Sequence, residues 1–281
     1  MPAGDDERSC SRVDGSASVQ HLELSSIDGI KLDAVVHRAP VASTRGVAVL
    51  VHGITVDMNE GGGMFVRLAD RLVDAGFNVV RFSFRGHGSS GGTQEGITIA
   101  GECLDLQAAV AAAQDRFPGQ RLSIVAASFG AVSVALSLSW LVGLHRLALW
   151  NPVLDLSHTF LVPELAWGRQ NFGPEQQKLL QDKGFLLVDG EFRLGRVLFA
   201  EFERYRPVDD LLSAQVAALV VHGDRDESVS YDIAAGFARS RPDTTFHTVA
   251  GSDHGFDSRE REDEAIGVTV GWLSEQYAVE V

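Results

Sequence analysis

The sequence predicts an α/β fold: a mostly parallel, doubly wound, eight-stranded sheet with an antiparallel entry hairpin and one lid insertion. Three observations carry this expectation. Short continuous apolar runs, such as GVAVLV at 46–51 and VAALVVH at 216–222, suit strands buried on both faces. Segments with apolar residues at helical spacing lie between those runs, the alternation that parallel strands require. The rhythm then breaks once, between Asn151-Pro152 and Arg206-Pro207, over a stretch too long for a structureless connection.

Residues 1–18 are polar, small and acidic, and are expected to be disordered. Segments 21–26 and 30–37 alternate apolar and polar residues around Asp28-Gly29, the pattern of a β-hairpin. After strand 46–51, Phe65, Leu68, Leu72 and Val73 mark a helix over 64–75, and 78–84 supplies the next strand. A helix with an Ala-rich face covers 99–117. Strand 122–127 leads into a helix reaching Val142, and 145–150 forms another strand. Beyond the insertion come strand 216–222, a helix at 232–240, strand 244–250 and a terminal helix at 261–277. The core thus comprises 19–152 and 208–281, and the insertion 153–207. That insertion is rich in aromatic side chains, and long insertions commonly cover active sites. Trp167, Phe172 and Phe199 are therefore candidate substrate-binding residues. The alternative is a helical excursion that merely packs on the core.

Composition narrows the function. Of 281 residues 45% are hydrophobic, enough to bury a substantial single core. Lys and Arg number 24 against 38 Asp and Glu, a formal charge of -14, and a surface that acidic repels phosphate backbones and anionic lipid. Nucleic acid is thereby excluded as a partner. No run approaches the roughly 18 apolar residues of a membrane span. The first ten residues, MPAGDDERSC, are acidic and lack an apolar signal-peptide core, so a cytoplasmic location is expected. Cys10 and Cys103 lie far apart with no metal-site spacing, and no metal or other cofactor is expected. A homodimer is compatible with all of this.

The segment 122–130, LSIVAASFG, is the most informative. An apolar strand runs into Ser128, with small residues Ala126 and Gly130 two positions before and after, and helix formers follow at once. A tight strand-to-helix turn of this kind lifts a serine hydroxyl above the sheet, and its neighbours must be small because the backbones nearly touch. An ordinary turn with an exposed serine is the rival reading. A nucleophilic serine also needs a base, a carboxylate to orient that base, and N–H groups to hold an oxyanion. A parallel sheet gathers such groups at the carboxyl ends of its strands. Strand 46–51 leads into His52-Gly53-Ile54, so the Ile54 N–H can join that of Phe129 as an oxyanion hole. Strand 216–222 leads into Gly223-Asp224-Arg225-Asp226, and strand 244–250 into Gly251-Ser252-Asp253-His254. The base is then His254 and the carboxylate Asp226 or Asp224, since Asp253 is an awkward partner for the imidazole next to it.

These residues resemble a family pattern. The chain looks like an α/β-hydrolase over essentially everything after residue 20, with the nucleophile, acid and base in that family's order. Within it the chain is similar to bacterial cinnamoyl/feruloyl esterases and monoacylglycerol-lipase-like hydrolases. The matches are His52-Gly53, the turn Arg85-Gly86-His87-Gly88-Ser89-Ser90, Ser128, the acid loop Gly223-Asp224-Arg225-Asp226-Glu227-Ser228-Val229, and His254. Asp226 occupies the acid's place in the G-x-x-D pattern. Ala126 stands where that pattern has glycine, and this elbow is similar to that of the acyl-carrier-protein thioesterases (acyltransferases) of bacterial luminescence. Leu194–Phe199 faintly resembles the cap of that family. The resemblance implies a serine hydrolase acting through an acyl-enzyme on a small-molecule carboxylic ester or thioester. Carrier-bound acyl chains are an alternative substrate, and a non-catalytic binding protein of this fold is the alternative of another class.

Other motifs are read as structural. Gly86-His87-Gly88-Ser89-Ser90-Gly91 spells G-x-G-x-x-G, but it follows the wrong strand for a dinucleotide site and no ribose-binding acid stands about 20 residues on. Gly61-Gly62-Gly63 is read as a flexible link. His52, His87 and His222 are assigned to turn geometry, and His37, His145, His158 and His247 to ordinary surroundings.

Overall fold

The computed structural model describes residues 17–40 and 44–275. In chain order the first half comprises β1 (Ser18–Ser25), β2 (Lys31–Arg38), β3 (Gly46–Val51), α1 (Met64–Asp74), β4 (Phe77–Phe82), α2 (Ile99–Arg116), β5 (Leu122–Ala127), α3 (Gly130–Ser137) and β6 (Leu144–Trp150). The inserted stretch holds a π-helical turn (Ser157–Leu161), α4 (Ala166–Phe172), α5 (Pro174–Lys183), β7 (Phe185–Val188), β8 (Phe192–Gly195) and α6 (Arg196–Phe202). The chain then returns through α7 (Pro207–Ser213), β9 (Ala217–Gly223), α8 (Tyr231–Ser240), β10 (Thr244–Val249) and α9 (Arg259–Ser274).

Eight strands form one sheet in the order β1-β2-β4-β3-β5-β6-β9-β10. The β1–β2 and β2–β4 pairs are antiparallel and the remaining pairs parallel, as the sequence predicts. Side chains alternate across each strand, so β3 sends Val47, Val49 and Val51 to the layer of α2, α3 and α8, and Ala48 and Leu50 to the layer of α1 and α9. That two-sided burial is why these strands read as unbroken apolar runs. The expected disorder of 1–18 falls almost wholly outside the described residues, although Ser18 already pairs with Arg38. Helix α3 is shorter than expected. It ends at Ser137, where Trp140 N–H returns to Ser137 O at 3.1 Å, and Gly143 at φ +81° turns the chain into β6.

The insertion has its own core. Phe160 stacks on Phe202 with ring centroids 4.6 Å apart, and Phe172 and Phe199 meet these rings edge-on or tilted, with Phe172 5.1 Å from Phe160 and Phe199 5.0 Å from Phe202. Phe129, from the turn before α3, adds its edge to Phe160 at 5.6 Å. Polar ties seat this cluster on the sheet domain. The Glu201 carboxylate accepts the Ile99 N–H at 2.5 Å and the Ala100 N–H at 3.4 Å, closing the N-terminus of α2. Arg193 pairs with Glu95 at 3.0 Å, and the His87 ring stacks on Phe192.

Candidate active site

The turn after β5 holds Ser128 in the left-handed region at φ +50°, a conformation a non-glycine residue adopts only when its surroundings impose it. Its N–H donates to Trp150 O at 2.8 Å and its carbonyl accepts from Val153 N–H at 3.1 Å. At Gly130 a Cβ would lie 2.4 Å from His52 O, so glycine is obligatory there. Ala126 faces less demand. Its methyl is fully buried in the apolar layer with Val51, Ala131 and Val134, which accounts for alanine where the family pattern has glycine.

The loops after β9 and β10 bring the other two expected groups to Ser128. His254 Nε2 lies 2.9 Å from Ser128 Oγ, and its Nδ1 lies 2.7 Å from Asp226 Oδ2. Of the two candidate acids, His254 is therefore bonded to Asp226. Asp224 instead accepts Gly251 N–H at 2.6 Å, and Asp253 accepts Glu227 N–H at 2.9 Å, so both brace the acid loop against the histidine loop. Asp226 Oδ1 accepts the Ser228 and Val229 N–H groups at 2.8 and 2.7 Å, while His222 Nε2 lies 3.1 Å from Oδ2. Burial alone would raise the Asp226 pKa. The two imidazoles outweigh it and hold the carboxyl well below the usual range. Burial likewise opposes a charged His254, but the Asp226 charge and hydrogen bond raise its pKa above the ordinary 6.5, with Glu60 and Asp253 adding to the effect.

His52 sits at the end of β3 and sets the third part of the site. Its Nε2 accepts Phe84 N–H at 2.9 Å, which leaves Nδ1 as the protonated nitrogen, donating to Gly53 O at 2.6 Å. Burial keeps this imidazole neutral, with its pKa well below 6.5. In a trans peptide the N–H points opposite the carbonyl, so fixing Gly53 O fixes the Ile54 N–H. Among the described residues neither the Ile54 nor the Phe129 N–H donates to a protein acceptor. Asn151, at φ +42°, ties the loops together: its Oδ1 accepts Gly223 N–H at 3.0 Å and its Nδ2 donates to His254 O. His52, Glu60, Asn151 and His222 were not legible as site residues. The only local signals are the repeated His-Gly at two strand ends and an Asn before Pro, a residue type that tolerates positive φ.

Two cavities meet at Ser128 and His254. One, of about 120 Å³, lies beneath the insertion against Ile54, Val153, Phe160 and Trp167. The other, of about 180 Å³, is bounded by Glu60, Met64, Trp150 and Phe256. A larger depression of about 430 Å³, lined by Leu138, Leu144 and Val216, opens at the amino ends of the strands, away from these groups. Of the three aromatic residues expected at the substrate, only Trp167 reaches a cavity wall. Phe172 and Phe199 are 3% and 7% exposed and are used up in the insertion's own core. That corrects their expected placement: a short insertion must spend most of its rings on holding itself together.

Residues 42–179 match the family model described as serine aminopeptidase, S33. No curated protein matches the chain. Among solved structures, the esterase Est1E from Butyrivibrio proteoclasticus with ferulic acid bound is 21% identical, with a TM-score of 0.76 over 92% of this chain and 99% of that one. The Pyrococcus furiosus esterase Pf2001 is also 21% identical, at a TM-score of 0.71 over 93% and 92%. The esterase domain of a Rhodothermus marinus protein is 18% identical, at 0.70 over 92% and 98%. No helix of the described residues is long and apolar enough to cross a membrane. In fold the chain is an α/β-hydrolase, resembling the feruloyl esterases, and the segment that carries its elbow serine matches the serine aminopeptidase (S33) family.

Proposed function

We propose that this chain is a serine hydrolase that cleaves small-molecule carboxylic esters or thioesters through an acyl-enzyme. The observation that carries this reading is the hydrogen-bonded run from Ser128 Oγ through His254 to Asp226, at 2.9 and 2.7 Å, on a serine held at positive φ. Ser128 Oγ attacks the acyl carbon while His254 Nε2 takes its proton, and Asp226 steadies the imidazolium that forms. The Ile54 and Phe129 N–H groups receive the charge that develops on the acyl oxygen. His254 then returns the proton to the departing alcohol or thiol, and water repeats the sequence to release the acid. Residues 153–207 serve as a lid, with Trp167 on the wall of the cavity beside Ser128. The likeness to esterases supports the ester reading, and the acidic composition fits a cytoplasmic enzyme, monomeric or homodimeric.

The test is a fluorophosphonate probe with peptide mapping, run beside matched p-nitrophenyl esters and acyl thioesters. The expected result is label on Ser128, its loss in Ser128→Ala, and turnover of at least one ester. Label elsewhere, or none, overturns the assignment. Turnover of thioesters alone moves the enzyme to the thioesterase or acyltransferase reading on carrier-bound chains.

A further inference from the structure

Glu60 is an acidic side chain at the site that the proposed chemistry does not use. It lies at the far end of the loop that begins at His52, and its Oε2 accepts the Gly53 N–H at 2.9 Å. The contact closes the loop into a ring, with the Glu60 backbone at φ +59° and its own N–H bonded to Asp57 O at 2.9 Å. The loop is also anchored from below. Arg81 Nη1 donates to Met58 O at 3.1 Å and Asn59 Oδ1 at 2.7 Å, and Ser83 Oγ accepts Met58 N–H at 3.2 Å. Gly53 is thus held on both sides, its N–H by Glu60 and its carbonyl by His52, and the Ile54 N–H is the group this arrangement aims. Glu60 also borders the 180 Å³ cavity shared by Ser128 and His254.

We propose that Glu60 is a positioning residue for the reaction, holding the Gly53–Ile54 peptide that receives the oxyanion and placing a negative charge opposite the imidazolium formed in turnover. This rests on the serine-hydrolase reading above. Both groups border the same cavity, so the charge acts across that space at an effective dielectric below that of bulk water. The other charged groups facing the pair are Asp57 beside Glu60, and Asp226 and Asp253 beside His254, with His222 behind Asp226. Burial raises the Glu60 pKa above 4.5 while the Gly53 and Gly61 N–H bonds and His254 oppose that rise.

The two roles separate in two variants. Glu60→Gln keeps an oxygen that can accept Gly53 N–H but removes the charge, whereas Glu60→Ala removes both. With an activated ester, Glu60→Ala is expected to lose on the order of 10²-fold in kcat, the scale of a misplaced reacting group. Glu60→Gln is expected to recover most of that loss. Its acid limb of kcat/KM should move to lower pH, because removing the anion makes His254 easier to deprotonate. The His254 imidazole proton resonance, titrated in the resting protein, reads the same shift without any substrate. A role confined to loop structure would leave the limb and the titration unmoved, and that result overturns the proposal. Equal losses in the Gln and Ala variants, with both correctly folded by circular dichroism, overturn it too. If the unsubstituted protein neither labels at Ser128 nor turns over an ester, the hydrolase reading fails first and this inference falls with it.

Discussion

The two sides of Ser128 are built on different principles. Below and beside it, strand ends supply every group: Ser128 from β5, His52 and Ile54 from β3, Asp226 from β9 and His254 from β10, all fixed by bonds to backbone or to one another. Above it, the insertion's core is rings against rings, with Phe160 on Phe202 and Phe172 and Phe199 beside them, and its hydrogen bonds, such as those joining Asp189 to Trp167 and Asn171, run around that cluster. Hydrogen bonds set angles and distances to within a few tenths of an ångström, whereas ring packing sets volume and shape. The first kind of construction suits chemistry that must not shift. The second suits a wall that can be recut for another substrate without disturbing the reacting atoms.

The most severe way to probe the lower side is Ser128→Ala. It should lower kcat by on the order of 10⁶-fold with an unchanged melting curve, since a methyl fits the elbow. Retained turnover would move the nucleophile elsewhere. Asp226→Asn comes next, with an expected loss of about 10⁴-fold, because an amide cannot hold His254 in the required tautomer. Asp224→Asn, at a side chain that accepts Gly251 N–H and does not bond His254, should cost far less, and the reverse ranking would transfer the role to Asp224.

On the upper side, Phe172→Ala should destabilise the fold by about 3–5 kcal/mol in denaturant titration, since it removes a fully packed ring. Its kinetic cost should be the same for acetyl and long-acyl esters. Trp167→Ala should behave oppositely, costing about 1–3 kcal/mol in transition-state binding for long or aromatic acyl groups and little for acetate. Equal losses on both esters would make Trp167 scaffold as well, and the contrast between the two sides would lose its meaning. The mildest test is the pH profile. His254 must be neutral to accept the serine proton, and its raised pKa places the acid limb of kcat/KM above 6.5. A limb well below that value would mean that the Asp226 partnership is looser than 2.7 Å implies.

How much could be read beforehand divides along the same line. Strands β3 and β5 were legible to the residue, because two-sided burial writes an uninterrupted apolar run into the sequence. Ser128 and His254 followed from their strand ends, and Asp226 from its place in the loop pattern. The insertion was visible as a break in rhythm, but not which of its rings face inward. Aromatic spacing there follows no single helix or strand period, so Phe172 and Phe199 carried no mark separating them from Trp167. Glu60 and Asn151 stayed hidden for a related reason. What they do depends on partners brought near by the fold, Gly53 for one and the β9 and β10 loops for the other.

The Glu201 carboxylate on the first amides of α2 has a practical consequence. Thr98 caps only the third N–H of that helix, at Gly101, while Ile99 and Ala100 rely on Glu201 from a segment about a hundred residues away. A shortened enzyme with 153–207 excised would therefore strip a core helix of two of its hydrogen-bond acceptors while baring Phe129. Its loss of activity would report a wounded scaffold as much as a missing wall. Grafting a foreign segment in that place succeeds only if the graft brings its own carboxylate to the same two amides. The join between new and old chain is thus set by a helix end, and not by the loop where the sequence invites the cut.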